Sequence, residues 1–185
     1  GLLDMTRMRT GDRTTYDILT DVMLKIRVMA QIHTRLYESG QFGRIGLEEQ
    51  ITDQIQAIRS IYSYSGDDIQ IQVHSPGIYL PVDQAIPCAL IVNELLSNAF
   101  KHAFIGRGHG TVKVTAVING GQLSLGIKDN GVGLMKEVDV YKTSSLGIKL
   151  VRTLAEHQLK GTMKFDSTSS GTEVMVEFPV ADGGK

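Results

Sequence analysis

At the centre of the chain lies the stretch Asn93-Glu94-Leu95-Leu96-Ser97-Asn98-Ala99-Phe100-Lys101-His102. Four of its polar side chains share one face of a predicted helix over residues 83–104, because they are spaced i, i+4, i+7 and i+8: Glu94, Asn98, Lys101 and His102. The simplest alternative is a solvent-exposed face. However, the opposite arc of the helix is already apolar, and an asparagine in mid-helix costs propensity without adding a cap. We therefore interpret the row as a site for a ligand that carries phosphates and a cation.

A second polar segment begins where a strand ends. The predicted strand Leu123–Lys128 runs directly into Asp129-Asn130-Gly131-Val132-Gly133. Two glycines after a strand let the backbone approach a ligand closely, and the Asp129 carboxylate can accept hydrogen bonds from an exocyclic amine. Taken alone, Asp-Asn-Gly indicates only a turn. Its position after the polar helix is what makes the segment informative.

A third segment opens the next predicted helix with small and hydroxyl-bearing residues, Thr143-Ser144-Ser145-Leu146-Gly147. At a helix N-terminus such residues leave backbone N–H groups available to an anion. Capping of the helix by Ser144 or Ser145 is the simpler interpretation, and both can hold at once. Together, in this order, the three segments are a far more specific signal than any one of them.

The pattern around these segments predicts an α+β fold, a sandwich with helices on one face of a mixed sheet. Neighbouring strands joined by hairpins, as through Asn119-Gly120-Gly121, favour this class over a doubly wound fold. The helix over 83–104 is predicted to be capped by Asp83. The other predicted elements are a helix over 146–158 and strands over 69–73, 78–80, 111–118, 123–128, 162–167 and 172–178.

The N-terminal third of the chain is predicted to be helical. Tyr16–Tyr37 carries two neighbouring apolar stripes, and a helix apolar over so wide an arc needs more than one partner. The first stripe contains Ile18, Val22, Ile26, Met29, Ile32 and Leu36, and the second contains Leu19, Met23, Ala30 and Tyr37. After a break at Gly40–Gly46, a second helix spans Leu47–Ser63. Periodicity alone favours a small helical bundle, with a dimerisation hairpin as the functional alternative.

Composition narrows the classes of function. The chain has 185 residues, of which 42% are hydrophobic and 21% charged, as in globular domains. A formal net charge of −1 gives no indication of a nucleic-acid partner. The single cysteine, Cys88, excludes an intramolecular disulfide and a cysteine-cluster metal site. Because no apolar run has the length of a membrane span and no signal peptide is recognised, we expect a cytoplasmic location without membrane contact from this fragment.

The three segments resemble, in order, the motifs of one ATPase family. Residues 93–102 resemble the N box of the histidine-kinase, gyrase, Hsp90 and MutL type of ATPase, and Asp129-x-Gly131-x-Gly133 resembles its G1 box. Leu146-Gly147 is similar to the G2 glycine, and Gly171-Thr172 to a late Gly-Thr pair of the same fold. The resemblance extends over the whole second domain, roughly residues 68–180.

The branch of the family is also indicated. Arg27–Tyr37 resembles the second dimerisation helix of the two-component sensor kinases that are sisters of the HWE kinases, and Lys142–Gly147 resembles their short ATP lid. HWE kinases themselves carry a Trp-x-Glu near the G1 box, whereas this chain has no tryptophan. The resemblance implies a partial dimerisation region over residues 1–64 and an ATP-binding catalytic domain over 65–185, with the boundary near residues 64–68.

The resemblance also implies roles for the site residues. Asp129 would accept a hydrogen bond from the adenine amine, with Thr172 supporting it through water and Gly131 and Gly133 shaping the loop. Asn98 would hold Mg²⁺, Lys101 would contact phosphate oxygens, His102 would stack near the base, and Glu94 would act as general base or in the Mg²⁺ shell. The lid residues implied to surround the phosphates of ATP are Lys142, Ser144, Ser145, Leu146 and Gly147.

The implied activity is transfer of the γ-phosphoryl group of ATP to a histidine, for relay to the receiver domain of a response regulator, in a homodimer formed through the N-terminal helices. The family's acceptor histidine lies in a His-Arg-x-x-Asn-Asn-like box that this chain does not contain, so we expect the acceptor upstream of residue 1. His33 lies on the right kind of helix, but a packing role is the favoured interpretation. The alternatives are a non-catalytic module that binds ATP and docks a partner, and an anti-sigma-type serine kinase.

Overall fold

The structure is a computed structural model that describes residues 13–38, 43–62, 68–133 and 146–180. Two helices each continue into one π-helical turn: Val82–Asn98 into Ala99–Ala103, and Leu146–Thr153 into Leu154–Gln158. In chain order the elements are α1 (Arg13–Glu38), β1 (Arg44–Gly46), α2 (Leu47–Tyr62), β2 (Asp68–His74), β3 (Tyr79–Pro81), α3 (Val82–Asn98), β4 (His109–Asn119), β5 (Gln122–Asp129), α4 (Leu146–Thr153), β6 (Thr162–Thr168) and β7 (Gly171–Pro179).

Five of the strands form one mixed sheet in the order β2-β4-β5-β7-β6. β2 pairs with β4 in parallel, and the other three pairs are antiparallel. Alternate residues of the central strands, such as Val114, Leu125 and Val176, are fully buried under the helices, while the other face carries polar side chains. The fold is therefore α+β with a mixed sheet, as the sequence predicts.

Helix α3 lies at the centre of the molecule. Nearly all of its residues are buried, including polar ones, because α1 and α2 pack against it as well as α4 and the sheet. A helix that is apolar around most of its circumference is expected in such a position. The side chains that sequence analysis singled out on α3 are thereby held between two layers of the protein.

Helix α1 has two apolar faces with different environments. Thr20, Leu24, Val28 and Ile32 recur at every fourth position and are buried. The described side chains of the stripe expected from periodicity are instead largely exposed, since Ile18, Val22, Ile26 and Met29 are about half exposed while Ile32 is buried. The buried face is the one that packs against the centre of the molecule, and it lies beside the predicted stripe.

Two local details differ from the sequence-based prediction. Pro81 occupies the N-cap position of α3 with no side-chain cap hydrogen bond, so Asp83 lies in the first turn rather than at the cap. There its carboxylate still faces the positive end of the helix dipole. The sequence predicts a strand over 78–80, close to β3, but not β1, which lies in the predicted break at Gly40–Gly46. The two-stranded sheet in which β1 pairs antiparallel with β3 was therefore missed.

The remaining elements agree with prediction within a few residues. α1, α2, β2 and the two hairpins β4–β5 and β6–β7 are all present where the sequence places them. Gly120 and Gly121 have φ values of 56° and 78°, as the tight turn between β4 and β5 requires. Within the described residues, no helix is both long and apolar enough to cross a membrane.

Candidate functional site

Asp129 is the last residue of β5, and the residue is 8% exposed. One oxygen, Oδ1, accepts hydrogen bonds from the backbone N–H of Gly131 at 2.9 Å and of Thr172 at 3.2 Å. Burial raises the pKa of this carboxyl above its ordinary value, and the two backbone donors oppose the shift. Because both donors use Oδ1, the second oxygen can accept a hydrogen bond from a ligand.

Around Asp129, neighbouring backbone leaves no room for any side chain at the glycine positions. A Cβ on Gly131 would collide with the carbonyl oxygen of Ala103, and a Cβ on Gly133 with that of Thr168. Gly171, at φ 129°, lies in the same way against the carbonyl of Asp129 itself. The sequence-based reason for the glycines was close approach of a ligand. In the structure they let the loop after β5 pass between the end of the α3 segment and the β6–β7 hairpin.

Further hydrogen bonds hold this loop, and three of the residues involved, Thr111, Asn130 and Ser167, have no role in the sequence-based prediction. The Asn130 side-chain oxygen accepts from the backbone N–H of Thr111 at 2.7 Å, which ties the loop to the start of β4. The hydroxyls of Ser167 and Thr172 lie 3.0 Å apart. Side-chain bonds of this kind depend on which strands become neighbours, so no local sequence pattern would have found them.

Glu94 is nearly buried on α3, and its carboxylate forms an ion pair with Lys25 of α1 at 2.8 Å. Gly147, at the start of α4, packs directly against it, so that a Cβ there would collide with Oε1 of Glu94. A purely solvent-facing polar row is therefore excluded at this position. The contact also brings the N box and the G2 glycine together, two segments far apart in sequence.

Lys101 lies in the π-helical turn after α3 and forms an ion pair with Asp21 of α1. Its ammonium group also lies 5.4 Å from the centre of the Tyr62 ring, and the Tyr62 hydroxyl donates to Oδ1 of Asp21 at 3.1 Å. Lys101 is a predicted site residue, whereas the three residues of α1 and α2 around the polar row were not predicted: Asp21, Lys25 and Tyr62. The antiparallel register of α1 on α3 brings Asp21 and Lys25 to the polar row, and the end of α2 adds Tyr62.

Asn98 is half-buried and His102 is exposed, both on the side of the helix that also carries Glu94. No hydrogen bond to another described residue involves the Asn98 amide, so its oxygen can serve as a ligand atom. Within the described ranges, no group of three or more His, Cys, Asp or Glu side chains could hold a metal ion. In proteins, Mg²⁺ commonly takes part of its oxygen ligands from substrate phosphates.

The structure describes only part of the predicted ATP lid. Lys142, Ser144 and Ser145, and with them the predicted helix cap, lie outside the described residues. Leu146 is the first described residue after this gap and is strongly exposed. The described part of the site therefore consists of α3 with its π-helical turn, the loop after β5, the start of β7 and the first turn of α4.

Comparison with known families agrees with this arrangement. A family described as "Histidine kinase-, DNA gyrase B-, and HSP90-like ATPase" matches residues 83–182, and one described as "Histidine kinase", the HisKA_2 dimerisation family, matches residues 1–62. The chain belongs to the sensor histidine kinases. Its two matched regions are the dimerisation region and the ATPase domain of that family.

Individual relatives of this histidine kinase are more distant. The "Sensor histidine kinase PdtaS" of Mycobacterium tuberculosis is 29% identical over 187 aligned positions, which cover 100% of this chain and 37% of that protein. The "Blue-light-activated histidine kinase 2" of Erythrobacter litoralis is 31% identical over 114 positions, 61% of this chain and 33% of that protein. The chain thus spans about a third of the length of these relatives.

Solved structures share the fold. The histidine kinase domain of the Erythrobacter litoralis EL346 blue-light-activated kinase superposes with a TM-score of 0.75 at 23% identity, covering 86% of this chain and 75% of that one. The catalytic domain of the histidine kinase ThkA gives a TM-score of 0.61 at 17% identity, covering 76% and 97%. Since the first of these covers 86% of this chain, the match includes part of the N-terminal helical region as well as the sheet and the helices packed on it.

Proposed function

We propose that this histidine kinase binds Mg-ATP between α3 and the loop after β5 and transfers the γ-phosphoryl group to a histidine. The observation that carries the proposal is the buried Asp129, with one oxygen held by two backbone donors and the other available to an adenine amine. A buried acceptor of this kind discriminates strongly in favour of a ligand that supplies the matching donor.

The proposed roles of the remaining residues follow the polar row from the base to the phosphates. Thr172 supports base recognition, since its backbone N–H already bonds to Asp129, and His102 lies exposed where it can stack on the base. Asn98, whose amide oxygen has no hydrogen-bond partner among the described residues, would hold Mg²⁺, and the cation would supply charge neutralisation at the phosphates. Lys101 contacts phosphate oxygens. Lys142, Ser144, Ser145 and Gly147 surround the β- and γ-phosphates from the lid.

Transfer itself requires positioning and charge neutralisation more than covalent chemistry by the protein. A neutral imidazole nitrogen attacks the γ-phosphorus in line as the bond to the bridging oxygen of ADP breaks. Glu94 is proposed either as the base that accepts the imidazole proton or as part of the Mg²⁺ shell. We propose that the acceptor is the histidine of the family's acceptor box, upstream of residue 1, since none of the five histidines in this chain lies in such a box.

The N-terminal region is proposed to dimerise and to meet a response regulator. The exposed apolar face of α1, formed by Ile18, Leu19, Val22, Met23, Ile26 and Met29, is what a helical dimer interface would cover. We propose that residues 1–64 form this dimerisation region and 65–185 the catalytic domain, even though their apolar side chains form one continuous core. The receiver domain of a response regulator would take the phosphoryl group from the acceptor histidine.

A second candidate is a module that binds ATP and docks a partner without transfer. It is favoured by one observation, namely that Glu94 and Lys101 are both engaged by α1. A serine kinase of the anti-sigma type is less favoured, because it gives no role to the long α1.

The test uses the chain as it is, with labelled ATP, Mg²⁺ and a separate helical hairpin that carries the acceptor box. Label on the hairpin histidine, lost in the Asp129→Asn variant, is the expected result. ATP binding without any transfer would favour the docking module, and label on a serine of a partner protein would favour the serine kinase. Absence of ATP binding would refute all three.

A further inference from the structure

The polar row on α3 is contacted by a charged pair on α1. Asp21 and Lys25 lie one turn apart on α1, and they pair with Lys101 and Glu94 respectively. The side chains are shielded from solvent, with exposed fractions of 16% for Lys101, 29% for Asp21, 25% for Lys25 and 9% for Glu94. Ion pairs with this degree of shielding are screened less than pairs on an open surface.

The two pairs are complementary in sign and define how α1 lies on α3. An acidic residue followed by a basic one on α1 meets a basic residue and an acidic one on α3, in antiparallel order. Reversing α1 or shifting it by one turn would place like charges together, which is unfavourable. Tyr62 of α2 strengthens one end, since its hydroxyl donates to Asp21 and its ring lies under Lys101.

Two buried hydroxyl groups lie close in sequence to the paired residues. Thr20 lies on the buried face of α1 beside Asp21, and Ser97 is buried on α3 between Glu94 and Lys101 in sequence. Neither hydroxyl has a hydrogen-bond partner among the described residues. Buried polar groups without partners cost free energy that they regain in water. The buried Thr20 hydroxyl therefore makes the docking of α1 less stable than an apolar side chain at this position would.

We propose that α1 is an autoinhibitory clamp on the nucleotide site, in which Asp21 and Lys25 hold Lys101 and Glu94 away from Mg-ATP. The proposal rests on the proposed function of these two residues. An anionic triphosphate attracts Lys101 and repels Asp21, so ATP and docked α1 compete for the same ammonium group. Since a ligand shifts a conformational equilibrium by its differential affinity, Mg-ATP favours the released state of α1.

The decisive experiment measures the Kd of Mg-ATP by calorimetry for the whole chain and its Asp21→Asn/Lys25→Gln double variant. The double variant removes one charge of each sign, so the net charge is unchanged. We expect it to bind Mg-ATP at least ~5-fold more tightly, the lower end of typical coupling factors between two sites. The control is Arg27→Gln at an exposed position of α1, which should leave the Kd unchanged.

The Lys25→Gln variant separates the clamp from simple electrostatics. Loss of a positive charge near bound triphosphate would weaken binding, whereas loss of the clamp strengthens it. An unchanged or weaker affinity in both Lys25→Gln and the double variant overturns the proposal. If the wild-type chain binds Mg-ATP, that result leaves the proposed function standing, whereas absence of nucleotide binding by the wild type would overturn both.

A second measurement needs no variant and covers the case in which the double variant does not fold. Amide hydrogen exchange in α1 of the wild-type chain should become faster, by about as large a factor as the affinity changes, when Mg-ATP is added. Exchange in the β4–β5 hairpin provides the internal reference, because it should not become faster. Unchanged or slower exchange in α1 with ATP bound overturns the clamp.

Discussion

Asp129 shows how a single residue can be suited to binding at the expense of stability. Its carboxylate is almost fully buried, and the two backbone donors on Oδ1 only partly oppose the rise in its pKa. A carboxyl whose pKa is higher in the folded state contributes stability that is fully present below its unfolded pKa and is lost as the pH rises through its folded pKa. At pH values above its folded pKa, the ionised Asp129 is therefore a cost to the fold.

The Asp129→Asn variant should lose ATP affinity while it keeps its stability. An amide in place of the carboxylate presents a donor to the adenine amine, and an unpaired buried donor costs about 1–3 kcal/mol, or roughly 5- to 150-fold in Kd. Calorimetry with Mg-ATP measures the affinity, and Asp68→Asn, at an exposed position in β2, is the control. Unchanged affinity would remove Asp129 from the site.

The same residue predicts a pH dependence with opposite signs for binding and stability. As the pH falls through the raised pKa of Asp129, the carboxylate takes up a proton and ATP binding should weaken, at a higher pH than an ordinary aspartate would give. Over that range, the wild-type chain should gain thermal stability relative to Asp129→Asn. Parallel melting and binding titrations from neutral to mildly acidic pH test this, and identical pH profiles for both proteins would contradict it.

Asn98→Ala should weaken binding of Mg-ATP more than binding of adenosine. The half-buried amide lies on the polar row, and in the proposed site it meets the cation and not the base. Calorimetry with both ligands, with and without Mg²⁺, gives the comparison. Equal losses for the two ligands would assign Asn98 to packing.

At this scale the sequence predicted the polar row and missed what surrounds it. The spacing of Glu94, Asn98 and Lys101 follows from helical geometry alone, so it could be read from the chain. Asp21 and Lys25 could not be chosen, because their role depends on the register of α1 against α3. The roles themselves stay proposals.

At the scale of elements, the loop after β5 depends on two distinct demands on glycine. Gly133 has φ 65° and also lies where a Cβ would strike the Thr168 carbonyl, whereas Gly120 has φ 56° and open space around it. Gly120→Ala should thus cost about 1 kcal/mol of unfolding free energy from backbone strain alone. Gly133→Ala adds a collision with backbone, and should cost clearly more, about 2–4 kcal/mol.

Denaturant unfolding of the two glycine variants gives these free energies directly. Gly133→Ala should also weaken Mg-ATP binding, because the loop carries the neighbours of Asp129, while Gly120→Ala should not. Equal destabilisation by the two substitutions would mean that the loop adjusts around the new methyl group.

Most elements were predictable because each has a strong local pattern. Alternation in β2 and the glycine turns of the hairpins identify strands, and four-residue recurrence identifies α1 and α2. β3 is predicted within one residue as the strand over 78–80, but β1 could not be predicted, since a strand of three residues has no periodic pattern and forms only through its pairing with β3. The buried face of α1 was also missed, because both of its faces are apolar and only tertiary contact decides between them.

For the whole molecule, we predict that the chain binds ATP but does not phosphorylate itself. None of its five histidines lies in an acceptor box, and His33 is the one on a helix of the dimerisation region. Because phosphohistidine is acid-labile, intact mass must be measured at neutral pH after incubation with Mg-ATP. A mass gain of one phosphoryl group that disappears in His33→Gln would make His33 the acceptor and refute the prediction.

The parallel pairing of β2 with β4 has a consequence for the order of folding. Asp68 pairs with His109, and α3 lies within the loop that this pairing closes. The β4–β5 and β6–β7 hairpins close over short turns, whereas closing a loop of roughly forty residues costs more entropy and slows folding. Hairpins should therefore form first during refolding. The helix that carries the nucleotide site would then be fixed in one of the last steps, so a partly folded chain would expose it to proteolysis longest.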